Sequence, residues 1–139
     1  MSNSQLRWPA VLTLVASLIS FLACGSQSNP PAIVVTFTSG FTPPSEMTLS
    51  EQCGVAATVT NDIKSQGVKW TAACGSADCG AFTPTSKSAS AVPITYTSPA
   101  TAPSGGTVTL TATSVTDPTK SISSSPITIG SASSGCVAP

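Results

Sequence analysis

The sequence predicts an all-β body, a two-sheet antiparallel β-sandwich of about seven strands, and three observations predict it. Short runs of alternating apolar and polar residues recur along the chain, turn residues part them roughly every 8–15 positions, and helical periodicity is absent. A length of 139 residues is that of one domain. Charged residues make up 7% of the chain, against about 25% in ordinary globular domains. Disordered Ser/Thr/Pro stalks share that composition, but 40% apolar content is enough to bury a core.

Residues 1–23 read as an export signal, with Arg7 in a charged n-region and an apolar run from Ala10 to Ala23. That run is short for a bilayer span, which needs about 20 residues. Phe21-Leu22-Ala23 makes a poor ordinary cleavage site, because Phe21 stands at −3 where a small residue is wanted. Ala23-Cys24-Gly25 resembles the bacterial lipoprotein signal, with Phe21 standing where Leu is usual. The resemblance implies lipidation of Cys24 and a membrane anchor in the cell envelope. The alternative is a cysteine that merely follows an apolar segment. Residues 24–31 then form a flexible tether stiffened by Pro30 and Pro31, with a reach of about 20–25 Å when extended.

The domain, residues 32–130, opens with Ile33/Val35/Phe37 alternating up to Ser39-Gly40. Thr42-Pro43-Pro44-Ser45 breaks the chain, and Met47 to Leu49 makes a short second piece. Val55/Ala57/Val59 form the next strand, closed by the turn at Asn61-Asp62. Val68, Trp70, Ala72 and Cys74 then share one face, opposite Lys69, Thr71 and Ala73. Trp70 is the one tryptophan beyond the signal, and that face is read as the core with Trp70 as its anchor. Phe82-Thr83-Pro84 reads as irregular, and the chain stays polar through Ser90. Val92/Ile94/Tyr96 alternate again, with Pro93 implying an edge strand or a bulge. After the Pro/Gly-rich turn of residues 98–106, Val108/Leu110/Ala112 give the cleanest alternation in the chain. Asp117-Pro118 turns, Ile127/Ile129 close the last strand, and residues 131–139 form a small-residue tail.

Cys74 and Cys79 close a short loop, and in an exported protein such a pair is expected to be a disulfide. Two unpaired thiols, or a redox pair, are the alternatives; the redox motif would need C-x-x-C beside a helix. Zinc held by Cys53, Cys74, Cys79 and Cys136 is disfavoured, because paired C-x-x-C knuckles are missing and export disfavours free thiolates. Asp62 and Asp117, with Asn61, read as turn formers; calcium would want about six to eight oxygens. No metal or other cofactor is therefore expected. The chain has no histidine, which excludes Ser-His and Cys-His catalysis. Its carboxylates, Glu46, Glu51, Asp62, Asp78 and Asp117, are scattered, with no cleft-sized insertion for a sugar. Arg7, Lys64, Lys69, Lys87 and Lys120 are equally scattered and form no basic stripe, so nucleic acid is not an expected partner.

Several motifs occur in a fixed order: Ala57-Thr58-Val59-Thr60-Asn61-Asp62, Gly67-Val68-Lys69-Trp70-Thr71, the Cys74 and Cys79 loop, and Phe82-Thr83-Pro84-Thr85-Ser86. Ile94-Thr95-Tyr96-Thr97-Ser98-Pro99-Ala100 and Gly106-Thr107-Val108-Thr109-Leu110-Thr111-Ala112-Thr113-Ser114 follow. Together they resemble bacterial immunoglobulin-like domains of the group-2-like type, over about residues 32–130. The resemblance implies an immunoglobulin-like sandwich and no catalytic residues. The chain departs from it in carrying Cys53 and Cys136, and in lacking the tandem copies of a long stalk or large adhesin. In that topology an early core strand begins where the last strand finishes, which suggests a second disulfide, Cys53–Cys136. A buried Cys53 and a free tail thiol is the alternative. The expected function is a non-catalytic, membrane-anchored module for cell-surface interaction or envelope structure. The other reading is a small exported subunit that binds a carbohydrate or peptide, or docks on a larger partner. Alternation turns Phe37, Trp70 and Tyr96 inward and leaves Phe41 and Phe82 in loops, which gives little for ligand stacking.

Overall fold

Alternating Thr/Val runs favour extended backbone, because β-branched side chains pack well on a pleated surface. The computed structural model describes residues 29–130 and 135–138. The expected export signal, Cys24 and the first residues of the tether lie outside the described residues. Within them the chain forms eleven strands and no helix. In order these are β1 (Val34–Phe37), β2 (Glu46–Thr48), β3 (Gln52–Val55), β4 (Ala57–Thr60), β5 (Val68–Ala73) and β6 (Ala81–Thr83). There follow β7 (Lys87–Ser88), β8 (Ile94–Thr97), β9 (Thr107–Ser114), β10 (Ser121–Ser123) and β11 (Ile127–Gly130).

The strands form three sheets: β1-β4, β3-β8-β6, and β2-β11-β9-β5-β7 with β10 on the flank of β9. All pairs are antiparallel except β2 with β11, which run parallel. The longest register joins β5 to β9, where Trp70 faces Ala112 and Ala72 faces Leu110. One core lies between the sheets. Val35 and Val59 enter it from β1-β4, Cys53, Val55, Ile94 and Tyr96 from β3-β8, and Val68, Trp70, Val108 and Leu110 from the largest sheet. Trp70 is 1% exposed. Its ring meets Phe37 of β1 at 6.3 Å and Phe82 of β6 at 6.0 Å between centroids, and Phe82 in turn meets Tyr96 at 5.2 Å. These separations lie in the favourable range for aromatic pairs, so Trp70 joins all three sheets. No buried side-chain polar atom among the described residues lacks a hydrogen-bond partner.

Four readings of the sequence need correction. The single strand expected through Val55, Ala57 and Val59 is interrupted at Ala56, whose N–H donates to the Phe41 carbonyl at 3.0 Å. That break lets β3 pair with β8 and β4 pair with β1. Phe82-Thr83, expected to be irregular, forms β6, and Phe82 is half-buried in the aromatic cluster rather than in a loop. Pro93 marks neither an edge strand nor a bulge: it precedes β8, the central strand of its sheet, where no ladder N–H is needed. Val92, expected to point inward, is 50% exposed in the turn before β8. A short strand that the alternation does not announce, β10, precedes β11, and the two use successive parts of one β9 flank. Between them Ser124 trades hydrogen bonds with Leu110, its N–H to the Leu110 carbonyl and its Oγ from the Leu110 N–H.

Candidate functional site

β3 and β4 run the length of the molecule, so the registers define two ends. At one end, Gln52 of β3 lies beside Thr97 of β8, and Ala73 of β5 beside Thr109 of β9. Both cysteine pairs are here. Cys74 is bonded to Cys79 with Cα atoms 5.4 Å apart, and Cys53 to Cys136 with Cα atoms 5.2 Å apart. Four thiolates for zinc are thus not on offer: the two pairs are separate disulfides. The Cys74–Cys79 loop is held from three sides. Asp78 Oδ1 accepts from the Gly80 N–H at 2.9 Å, Ser76 Oγ accepts from the Ser104 N–H at 3.0 Å, and the Tyr96 hydroxyl donates to the Cys79 carbonyl at 2.7 Å. Gly80 has φ +85°, and a Cβ there would collide with the Thr97 carbonyl and the Tyr96 hydroxyl, so only glycine fits. Burial pushes the Tyr96 phenol well above its ordinary 10.0, and the negative charge of Asp78 adds to the effect. Tyr96 therefore stays neutral and serves as a donor rather than a base.

Beside this loop, the Cys53–Cys136 bridge fastens residues 135–138 across the start of β3, where the Gly54 N–H donates to the Val137 carbonyl at 2.8 Å. Ser98, 3% exposed, accepts from the Glu51 N–H at 2.9 Å and donates to the Thr48 carbonyl at 2.6 Å.

The opposite end, where residues 29–33 lead into β1, has no covalent link among the described residues. The Asn61 amide donates to the Ala32 carbonyl at 2.8 Å. Asp62 accepts from the Gly67 N–H at 3.0 Å, the Lys64 N–H at 3.2 Å and the Thr116 hydroxyl at 2.6 Å. The Thr116 bond is the largest cause of a carboxyl pKa held below its usual 3.8; desolvation opposes it, and the backbone donors of Gly67, Gln66 and Lys64 add to the lowering. Asp117 is lowered too, first by the Thr119 hydroxyl and N–H, then by Lys120. The two aspartates thus come to the same end: Asp62 ties its own turn to the Thr116 loop, and Asp117 accepts from Thr119 within its own loop. Among the described residues no three His, Cys, Asp or Glu side chains gather as metal ligands would.

A third feature lies on the outer face of the largest sheet. β7 pairs with β5 so that Lys69 stands directly opposite Lys87. Trp70 donates its N–H to the Ser86 carbonyl at 2.7 Å, which makes Trp70 and Ser86 the hydrogen-bonded pair. Lys69 and Lys87 therefore occupy the neighbouring non-hydrogen-bonded position, where side chains come closest. Together with Thr71, Thr113, Val115 and Pro118 they line a groove of about 470 Å³. Sequence reasoning missed it, because lysines 18 positions apart become neighbours only once the β5–β7 register is known. Gly67, φ +70°, sets that register: its lack of a Cβ lets the chain approach the Ser88 carbonyl directly.

Compared with protein-family models, with curated proteins and with solved structures, the chain matches none.

Proposed function

We propose that this chain is an exported, non-catalytic immunoglobulin-like module, anchored to a bacterial envelope membrane through lipid on Cys24, and that it acts in surface interaction or envelope structure. The observation that carries the fold reading is the strand order. With β3 and β4 taken as one interrupted strand, β1, β4/β3, β8 and β6 oppose β11, β9, β5 and β7. This division resembles that of an immunoglobulin-type sandwich, and the position of Trp70 on the third major strand, where that fold carries its core tryptophan, supports the reading. The inter-sheet disulfide usual beside that tryptophan is replaced here by packing against Phe37 and Phe82.

Two disulfides point to an oxidising, exported setting. The non-catalytic reading rests on the missing histidine and on carboxylates that are parted between the two ends. The lipid anchor rests on Ala23-Cys24-Gly25 behind the apolar run. Metabolic labelling with a fatty-acid analogue, followed by fractionation, tests it. Label and membrane association in the parent, both lost in Cys24→Ala, are expected. An unlabelled parent, or a variant that fractionates with membranes as before, would overturn the anchor.

A further inference from the structure

We infer that the groove at Lys69 and Lys87 is a binding site for an anionic saccharide, one whose carboxylate or phosphate sits between the two ammonium groups. The reading is independent of the lipid anchor.

Like charges directly opposite on neighbouring strands destabilise a sheet. Here Lys87 sits on a strand of only two residues and faces Lys69 of β5 at the position of closest side-chain approach. Neither lysine forms an ion pair among the described residues. The carboxylates are all engaged or placed elsewhere. Asp62 binds its own turn and Thr116, Asp117 binds its own turn, Asp78 binds Gly80, and Glu51 binds Thr48. Glu46 lies on β2, at the far edge of the same sheet, four strands from β7 and so about 19 Å away at ordinary strand spacing. The repulsion thus has no internal remedy, and an external anion would relieve it.

The surroundings narrow the class of anion. Thr113 lies across from Lys69 in the β5–β9 register, and Thr71 is the next outward residue on β5. Their hydroxyls can donate to an oxyanion or exchange hydrogen bonds with sugar hydroxyls. Val115 and Pro118 supply an apolar wall suited to the C–H face of a sugar ring. A groove of about 470 Å³ falls in the size range of small-molecule sites and exceeds what a bare phosphate fills. The arrangement therefore fits a charged group attached to a ring.

Titration of the full chain, isotope-labelled and followed by NMR, tests the inference with glucuronate, glucose 6-phosphate, glucose and inorganic phosphate as probes. The two charged sugars should shift the amides of Lys69, Thr71, Lys87 and Thr113 together. Glucose should shift none of them, and inorganic phosphate should bind at least about tenfold more weakly than glucose 6-phosphate. Loss of one charge-assisted contact in Lys87→Thr should weaken the charged sugars about tenfold or more, whereas Lys87→Arg should keep binding. Without ligand, Lys87→Thr should melt no lower than the parent, since it removes a repulsion; if that variant fails to fold, Lys69→Gln serves for the same comparison. Raising salt from 50 to 200 mM should weaken binding, because the charges are exposed. Charged sugars that shift residues elsewhere, or shift nothing, overturn the site. Phosphate binding as tight as the sugar phosphate overturns the saccharide and leaves only a simple-anion contact.

Discussion

At the end where the 74–79 loop meets the chain after β8, two disulfides and the Tyr96 hydroxyl hold irregular backbone in place. At the other end, where the chain enters β1, Asn61, Asp62 and Thr116 hold a comparable set of turns by hydrogen bonds alone. The difference follows from what each end must fasten. The turn of residues 61–67 is short and local, and side chains that form turns close it from within. Residues 135–138 come from the far end of the sequence and lie against β3 without joining a sheet. Few backbone hydrogen bonds are available to such a segment, so a covalent link replaces the missing ladder. One end is therefore sensitive to reductant, while the other depends on side-chain hydrogen bonds, those of Asp62 above all.

Removing the long-range bridge should have the largest effect. Cys53 and Cys136 are 83 residues apart, and closing a loop of that size is worth about 4–5 kcal/mol in the chain-entropy treatment. Denaturant unfolding of the double Ser variant, Cys53→Ser with Cys136→Ser, should show a loss of that order. A loss under about 1 kcal/mol would mean that the tail docks without its bridge.

Trp70→Ala strikes the centre and should weaken both ends alike, costing about 3–5 kcal/mol because Trp70 joins all three sheets. That is a large share of the roughly 5–15 kcal/mol available to a domain. An unchanged melting temperature would contradict its place in the core. The short bridge, Cys74–Cys79, spans only 5 positions and should contribute about 2 kcal/mol on the same entropy scale. Its double Ser variant should lose hydrogen-exchange protection at the 74–80 loop while residues 61–67 keep theirs. Equal loss at both ends would remove the distinction between them.

Acid should give the smallest effect and act at the other end. Asp62 and Asp117 have folded pKa values below 3.8. Their contribution is therefore fully present above the unfolded pKa and is lost as pH falls through the lower folded values. Protection of the Lys64 and Gly67 amides should fall below about pH 4, with Gly54, beside the long bridge, unaffected. Thr116→Val should move the Asp62 titration upward, towards 3.8, since Thr116 is the largest cause of its depression. An unmoved titration would show that the backbone donors suffice.

The parts of this arrangement that follow from local chemistry were legible in the sequence. Period-2 alternation identified the inward faces of β5, β8 and β9 and placed Trp70 and Tyr96 in the core. The Asn61-Asp62 and Asp117-Pro118 turns fell where turn residues predict. What escaped depends on contacts between distant residues. The break at Ala56 needs the Phe41 carbonyl, and β6, β7 and β10 are too short for a period to show. The Lys69–Lys87 juxtaposition depends on how the chain returns through residues 74–86, which no spacing rule reports.

The two-ended account rests most directly on which cysteines are joined. Peptide mapping under non-reducing conditions, on protein recovered from its producing cell with free thiols blocked at lysis, reads this out. The account predicts one linked pair of peptides carrying Cys53 and Cys136 and a separate bridge within the 74–79 loop. A link between Cys53 and either loop cysteine, or a Cys136 that is blocked as a free thiol in the native protein, would contradict it.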